Sequence, residues 1–345
     1  MNGRGGFLAG EAKNVGKAVR ADEAKKTGET RRPLIGLAPM AGMTDWPARV
    51  LCYGMGAQYA CTEMVSAMGY MCAKPGNLAY IRLLETHPRE TRTACQLFGR
   101  DPVVMGEAAA RITELGRFSA IDINMGCPAR KVVSSGEGSA LLKTPELAFR
   151  LMEAVKQNTR LPVTLKTRLG FDAGSMNAPE LVKAAESLEL AWVCIHGRTR
   201  EQQYSGQADY AAIARIKAGA SIPILANGDV FSPEDALRIL SETGADGVLI
   251  GRGAMGNPWL FRSVLGRIAG AVPTAVTLSE RLQTALTHAD MMVGFKGETQ
   301  AVVEMRKHIG HYVSGVRGAS HMRRALNQAG SLDELKGLLF ELMAR

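Results

Sequence analysis

The chain is 345 residues long, 46% hydrophobic, and carries a formal net charge of +9. Such a length and apolar content support one large core and room for a small second one. No apolar run reaches the roughly 20 residues of a bilayer span. The six cysteines are scattered without a C-x-x-C pair, which argues against a zinc site or disulfide framework and for a reducing cytoplasm.

Residues 1–32 are rich in Gly, Lys and Arg and show no apolar period, so a disordered N-terminal arm is expected there. Glu11, Asp22, Glu23 and Glu29 count against an organellar presequence. From Pro33 to Arg252 one unit repeats: a short apolar run ends in small or polar residues, and a helix-period segment follows. The runs begin at Leu34, Ala57, Thr93, Phe118, Pro162, Trp192, Ile222 and Gly247. Asp101-Pro102, Thr144-Pro145 and Ser232-Pro233 read as N-caps with proline in the first turn, and Gly116 and Gly244 as C-caps. Ala108, Ile112 and Leu115 fall on one helix face. Continuous apolar strands alternating with helices predict a covered parallel sheet. Eight units predict a (β/α)8 TIM barrel over residues 33–272, with an open doubly wound sheet as the alternative.

In such a barrel the strands' C-terminal ends share one mouth. The strand Phe118–Ile123 stops at Gly126-Cys127-Pro128, because proline cannot continue a ladder and glycine frees the turn. Cys127 therefore sits on a strand-end loop, and the following Arg130 and Lys131 are expected to lower its thiol pKa. A half-buried structural cysteine is the other reading. Asn227-Gly228-Asp229 and Gly251-Arg252-Gly253 end the last two strands, where backbone N–H groups of such barrels cradle phosphate, and Arg252 adds charge-assisted bonds. Lys166 suits a Schiff base, a carboxylate partner or the neutralisation of a developing anion. His196 suits a base, a donor to a ring or a satisfied structural role. Gln96 offers an amide edge, and Pro39, Met40 and Ala41 a small apolar wall. A flat ring, an amide edge, a cation and a phosphate together describe flavin mononucleotide (FMN). No G-x-G-x-x-G fingerprint opens a helix, which disfavours a resident dinucleotide.

Past Pro273 the strand pattern ends. Leu282, Leu286, Met292, Val302, Met305, Ile309, Tyr312 and Val313 follow helical spacing, so residues 273–345 are expected to form a small helical domain. No acidic residue lies between Glu304 and Asp333, whereas Arg306, Lys307, Arg323 and Arg324 do. A solvated helix face is one reading, and a phosphate-backbone contact surface the other. Set outside the barrel, these charges are expected to lie beyond reach of the chemistry at its mouth.

The runs Ala38-Pro39-Met40-Ala41-Gly42-Met43-Thr44-Asp45, Thr62-Glu63-Met64, Asp122-Ile123-Asn124-Met125-Gly126-Cys127-Pro128, His196-Gly197-Arg198-Thr199, Asn227-Gly228-Asp229 and Gly251-Arg252-Gly253 resemble the tRNA-dihydrouridine synthase family, most of all its bacterial B-type branch. The resemblance spans residues 33–330; residues 1–32 have no counterpart in it. It implies an FMN-bound barrel, NADPH as reductant (NADH as the alternative), and a C-terminal helical domain that holds tRNA. It places flavin contacts at Pro39, Met40, Ala41, Gln96, Lys166, His196, Asn227, Gly228, Asp229, Gly251 and Arg252, and the general acid at Cys127. No metal, membrane or protein partner is implied, and a cytoplasmic monomer is expected. Two rivals predict different behaviour. An FMN barrel acting on a small metabolite would not need the basic helical segment, and an RNA-binding protein with a relic barrel would be colourless.

Overall fold

The computed structural model describes residues 32–316 and 319–343. The arm expected over residues 1–32 lies, Arg32 apart, outside the described residues. In chain order the strands and helices of the first part are β1 (Leu34–Leu37), α1 (Trp46–Gly54), β2 (Ala60–Cys61), β3 (Val65–Ser66), α2 (Ala67–Cys72), α3 (Leu78–Leu83), β4 (Thr93–Phe98), α4 (Pro102–Thr113), β5 (Ala120–Met125), α5 (Arg130–Ser134), α6 (Pro145–Gln157), β6 (Val163–Arg168), α7 (Ala178–Ser187), β7 (Trp192–His196), α8 (Tyr210–Ala218), β8 (Ile224–Asn227), α9 (Pro233–Thr243), β9 (Gly247–Ile250) and α10 (Trp259–Ile268).

All strand pairings are parallel, and the ring closes where β1 lies between β9 and β2 and β2 lies against β4. The expected (β/α)8 barrel is therefore the fold, and the open sheet is not. One stave departs from the sequence reading. The run read from Ala57 to Ala60 is a strand only at β2, Ala60–Cys61, and a second short strand, β3, follows; both are set against β4. Between them the Thr62 hydroxyl, rather than a peptide carbonyl, accepts the N–H of Gln96 at 3.0 Å, so a side chain takes over a rung of the ladder.

Strand residues alternate between two buried environments. Ile121, Ile123 and Met125 of β5, with Leu97, Leu165, Val193 and Ile195, pack under the helices in the large core. Ala94, Ala120, Cys194, Leu225 and Leu249 fill the barrel interior with Tyr59 and Cys61. This division leaves the inward upper positions for polar side chains.

Local signals set most helix ends. The Asp101 carboxylate accepts from the N–H groups of Val103 and Val104, and Ser232 forms a reciprocal capping box with Asp235. Gly244 closes α9 at a φ of 61°. Thr144 differs from expectation: it makes no side-chain cap, and α6 starts on Pro145, whose fixed φ suits the first turn. Leu115 also differs. It is exposed, because α4 ends at Thr113 and the chain turns before Leu115 can join the face of Ala108 and Ile112.

Four helices follow: α11 (Leu278–Lys296), α12 (Glu298–Tyr312), α13 (Ala319–Gln328) and α14 (Leu332–Met343). The eight apolar residues marked by helical spacing are all buried in a second core, to which α10 contributes Trp259. Among the described residues no helix is long and apolar enough to cross a membrane.

Candidate active site

Parallel strands end on one face, and there the barrel opens into a cavity of about 670 Å³. Pro39, Met40 and Ala41 line it from the loop after β1, Gln96 from β4, Cys127 from the loop after β5, Lys166 from β6 and His196 from β7. Asn227, Gly228 and Asp229 line it from the end of β8, and Gly251 and Arg252 from beyond β9. All twelve barrel positions singled out in the sequence meet at this one mouth.

Each wall has its own chemistry. The β1 loop is apolar and is braced by Thr44, whose Oγ1 accepts from the Met40 N–H at 3.0 Å. Opposite it, the Lys166 ammonium donates to Asn227 Oδ1 at 2.8 Å, while Asn227 Nδ2 donates to the Leu249 carbonyl at 2.7 Å. Burial lowers the Lys166 pKa. His196 is held neutral: burial, then the charges of Arg168, Lys166, Arg198 and Arg252, push its pKa well below the usual range. Arg198 Nη1 lies 3.5 Å from His196 Nε2 and can only donate, so the imidazole proton belongs on Nδ1.

The glycine loop is a close-fitting cradle. At Gly228 φ is +131°, and a Cβ there would lie 2.8 Å from the Ala208 methyl and 3.1 Å from the His196 ring. Only glycine fits both constraints. Asp229 follows in the left-handed region at φ 52°. Its carboxylate accepts from both terminal nitrogens of Arg198, at 2.9 and 2.6 Å, and from Arg252 at 3.2 Å. Asp229 thus holds the loop in a sparsely populated conformation, while backbone and Arg252 face the cavity. Lys166, Arg168, Arg198 and Arg252 outnumber the acids here, which suits an anionic ligand.

Cys127 is half-buried and its loop is pinned from three sides. Asn124 Oδ1 accepts from the N–H groups of Gly126 (3.1 Å) and Cys127 (2.9 Å). Arg168 Nε donates to the Gly126 carbonyl at 2.9 Å, and Ser139 Oγ to the Cys127 carbonyl at 2.8 Å. Gly138, at φ +58°, closes over it; a Cβ there would lie 3.1 Å from that of Cys127. The expected activation by Arg130 and Lys131 does not occur. Burial raises the Cys127 pKa, against smaller opposing effects of the Ala129 N–H and Arg168. The exposed Lys131 and Arg130 side chains are in high-dielectric solvent, where their charge is screened. The thiol keeps its proton at neutral pH, a state suited to giving a proton rather than attacking as thiolate.

Sequence reasoning missed several residues. Arg168 is buried and lines the cavity; burial lowers it to about 10, so it stays cationic at neutral pH. The period-2 spacing Lys166, Arg168 was a usable signal. Tyr204, on the long loop after β7, lines the rim with its ring 4.4 Å from the Arg252 guanidinium, and no local pattern announced it. Arg198 is buried against Asp229 and cannot serve as an RNA contact.

The basic helical positions divide. Arg306 is half-buried and donates to the Ala329 carbonyl at 2.7 Å, tying α12 to the end of α13. Lys307 and Arg324 are exposed. The side chain of Arg323 lies outside the described residues. Lys307 does not line the cavity but comes close to the loop after β1. Its Nζ would be 2.9 Å from a Cβ on Gly42, in the very loop that lines the cavity.

A model of the dihydrouridine synthase (Dus) family matches residues 36–343. The chain is 40% identical over 302 residues to a tRNA-dihydrouridine synthase B of Xanthomonas axonopodis pv. citri (strain 306), covering 87% of this chain and 90% of that one. It is 40% identical over 299 residues to the protein of the same name from Pseudomonas aeruginosa, covering 86% and 89%. Among solved structures, histamine dehydrogenase from Rhizobium sp. 4-9 superposes with a TM-score of 0.52 at 13% identity, over 76% of this chain and 49% of that chain. That likeness shows the fold alone.

Proposed function

This chain belongs to the dihydrouridine synthase family, and we propose that it reduces the C5=C6 bond of specific uridines in tRNA to 5,6-dihydrouridine, with FMN in the barrel mouth, NADPH as reductant and Cys127 as proton donor. The observation that carries this reading is the convergence of an apolar wall, an amide and cation wall, and a glycine cradle on one cavity beside a protonated thiol. The residues fit the cofactor. Pro39, Met40 and Ala41 suit one face of a flat ring, Gln96, Lys166 and His196 its polar edge, and Gly228, Gly251 and Arg252 the phosphate. When bound, reduced FMN supplies the hydride that C6 of the uracil must receive.

The remaining work belongs to the chain. Hydride at C6 leaves negative charge on the conjugated C5 and carbonyl, and C5 must take a proton. Cys127 Sγ holds one, because burial keeps the thiol protonated. A positioned acid contributes about 10²- to 10⁴-fold to such a step. Arg168 beside the Cys127 loop supplies fixed positive charge, both toward the thiolate left behind and toward an anionic uracil oxygen. The reacting groups lie inside the barrel mouth, so the target base must leave its stack to enter, at a cost of a few kcal/mol. The exposed Lys307 and Arg324 would offset that cost through phosphate contacts.

The purified protein is expected to be yellow and to release FMN on denaturation. Cells lacking it are expected to lose dihydrouridine at one or more tRNA positions. An unchanged dihydrouridine map would refute the assignment.

A further inference from the structure

Below the cavity, Asp122 is 1% exposed and does not line the mouth. A chain of hydrogen bonds connects it to the Cys127 loop, and every link has a forced direction. The peptide N–H groups of Gly126 and Cys127 can only donate, so the Asn124 atom that receives them, at 3.1 and 2.9 Å, is the oxygen. That places Asn124 Nδ2 toward Gln96, 2.9 Å away, which makes the facing Gln96 atom Oε1. Gln96 Nε2 is then turned to Asp122 Oδ2 at 2.7 Å, and Asp122 must accept. Thr164 Oγ1 donates to its other oxygen at 2.5 Å.

We propose that Asp122 is a positioning residue that, with the Gly126 and Cys127 peptides at the opposite end, fixes which way round Gln96 presents its amide to the cavity. An amide in a cavity can turn over at little steric cost, exchanging donor for acceptor. Here neither turn is available, because a reversed Gln96 would set its carbonyl against the Asp122 carboxylate and its NH₂ against the Asn124 NH₂. Burial raises the Asp122 pKa, and the hydrogen bonds from Gln96 and Thr164 and the nearby Lys166 ammonium oppose that rise. One spare donor and one spare lone pair of Gln96 consequently keep a fixed order, which matches the alternating acceptors and donor of a pyrimidine-type ring edge. The same chain ties that order to the loop carrying Cys127. The part concerning FMN rests on the function proposed above; the direction of the hydrogen bonds does not.

The test is a mutant cycle on the full-length protein, read by thermal midpoint and by FMN titration. Asn124→Asp replaces the Nδ2 donor with an oxygen. Gln96 must then turn over and face Asp122 with its carbonyl. The midpoint should fall, FMN affinity should drop about tenfold or more, and the flavin absorption band should shift. Adding Asp122→Asn supplies a donor for the turned carbonyl, so the chain is satisfied in reverse. The double variant should regain most of the lost midpoint yet keep the weak affinity and shifted band, since Gln96 now shows the cavity the opposite order. If Asn124→Asp does not fold alone, folding of the double variant is the predicted rescue. Additive midpoints, failure of both variants to fold, or wild-type affinity and spectrum in Asn124→Asp would overturn the proposal. A wild-type protein that binds no FMN would refute the functional reading, while the midpoint cycle, which needs no flavin, would still decide the direction of the chain.

Discussion

Lys296 and Asp45 form an ion pair at 2.6 Å with side chains only 9% and 8% exposed. Lys296 ends α11, and Asp45 is the N-cap of α1, directly after the loop that lines the cavity. The same ammonium also reaches Glu304 at 2.7 Å. The helical region is thereby fastened to the cavity wall by a charge that has little access to water. Replacing one partner strands the other, which for buried pairs costs about 3–5 kcal/mol. Lys296→Met is therefore expected to lower the urea midpoint sharply, with retention of FMN falling in parallel. A shift no larger than that of an exposed lysine, such as Lys74→Met, would show that the pair is not what holds the two together.

Cys127→Ala is expected to keep FMN content and reduction by NADPH while dihydrouridine formation falls by about 10²- to 10⁴-fold. The raised thiol pKa fixes the pH dependence of the wild type. A donor must be protonated, so turnover should persist through the ordinary thiol range and decline only at higher pH. Turnover that instead rises with pH through an acid limb, absent from the alanine variant, would indicate a thiolate role.

The barrel was legible because its signals are local and repeated. Each apolar run ended where a parallel strand must end, and Ser232, Asp235 and Gly244 marked helix bounds that are local events. Cavity positions followed from topology, since the ends of parallel strands share a face. Less legible was whatever depends on partners distant in sequence. Nothing near Asp122 signals its contact with Gln96, 26 residues away, or with Thr164, 42 away. Burial of Arg198 by Asp229 and the tie from Arg306 to Ala329 were equally invisible, and both turn residues that look like free cations into structural ones. Charge order along the chain also misled at Cys127, where burial outweighs Arg130 and Lys131.

His288 and His308 are 2% and 3% exposed, and their rings are 4.6 Å apart. Tyr312 Oη lies 3.3 Å from His288 Nδ1; the Asp45 carboxylate partly offsets burial at His288, while Lys307 and Lys296 add positive charge near His308. Burial lowers His288 to about 4 and His308 well below its usual value. The unfolded chain therefore binds protons near pH 6.5 that the folded chain refuses until about pH 4. Stability should be complete above that window and fall with decreasing pH through it, by up to about 3 kcal/mol from His288 alone. Urea unfolding of His288→Phe should show a smaller loss between pH 7 and 5 than the wild type. An identical slope would place the acid sensitivity elsewhere.

Exposed cations that neutralise phosphate should each contribute about 0.7–0.9 to the log–log salt slope of tRNA binding. Lys307→Ala with Arg324→Ala should flatten that slope and weaken binding while FMN content stays constant. Arg306→Ala should instead lower thermal stability, because it removes a tie to the Ala329 carbonyl. Unchanged affinity and slope in the double variant would mean that this face does not touch the RNA.

The proposed reaction passes reducing equivalents from flavin to a uridine of tRNA at this mouth. It is tested most directly by a single turnover. The protein, reduced with NADPH and freed of excess nucleotide without oxygen, is mixed with tRNA taken from cells that lack it. Flavin absorbance should return in step with the appearance of dihydrouridine, one for each flavin oxidised. Flavin that stays reduced in the presence of that tRNA, with no dihydrouridine formed, would contradict the account.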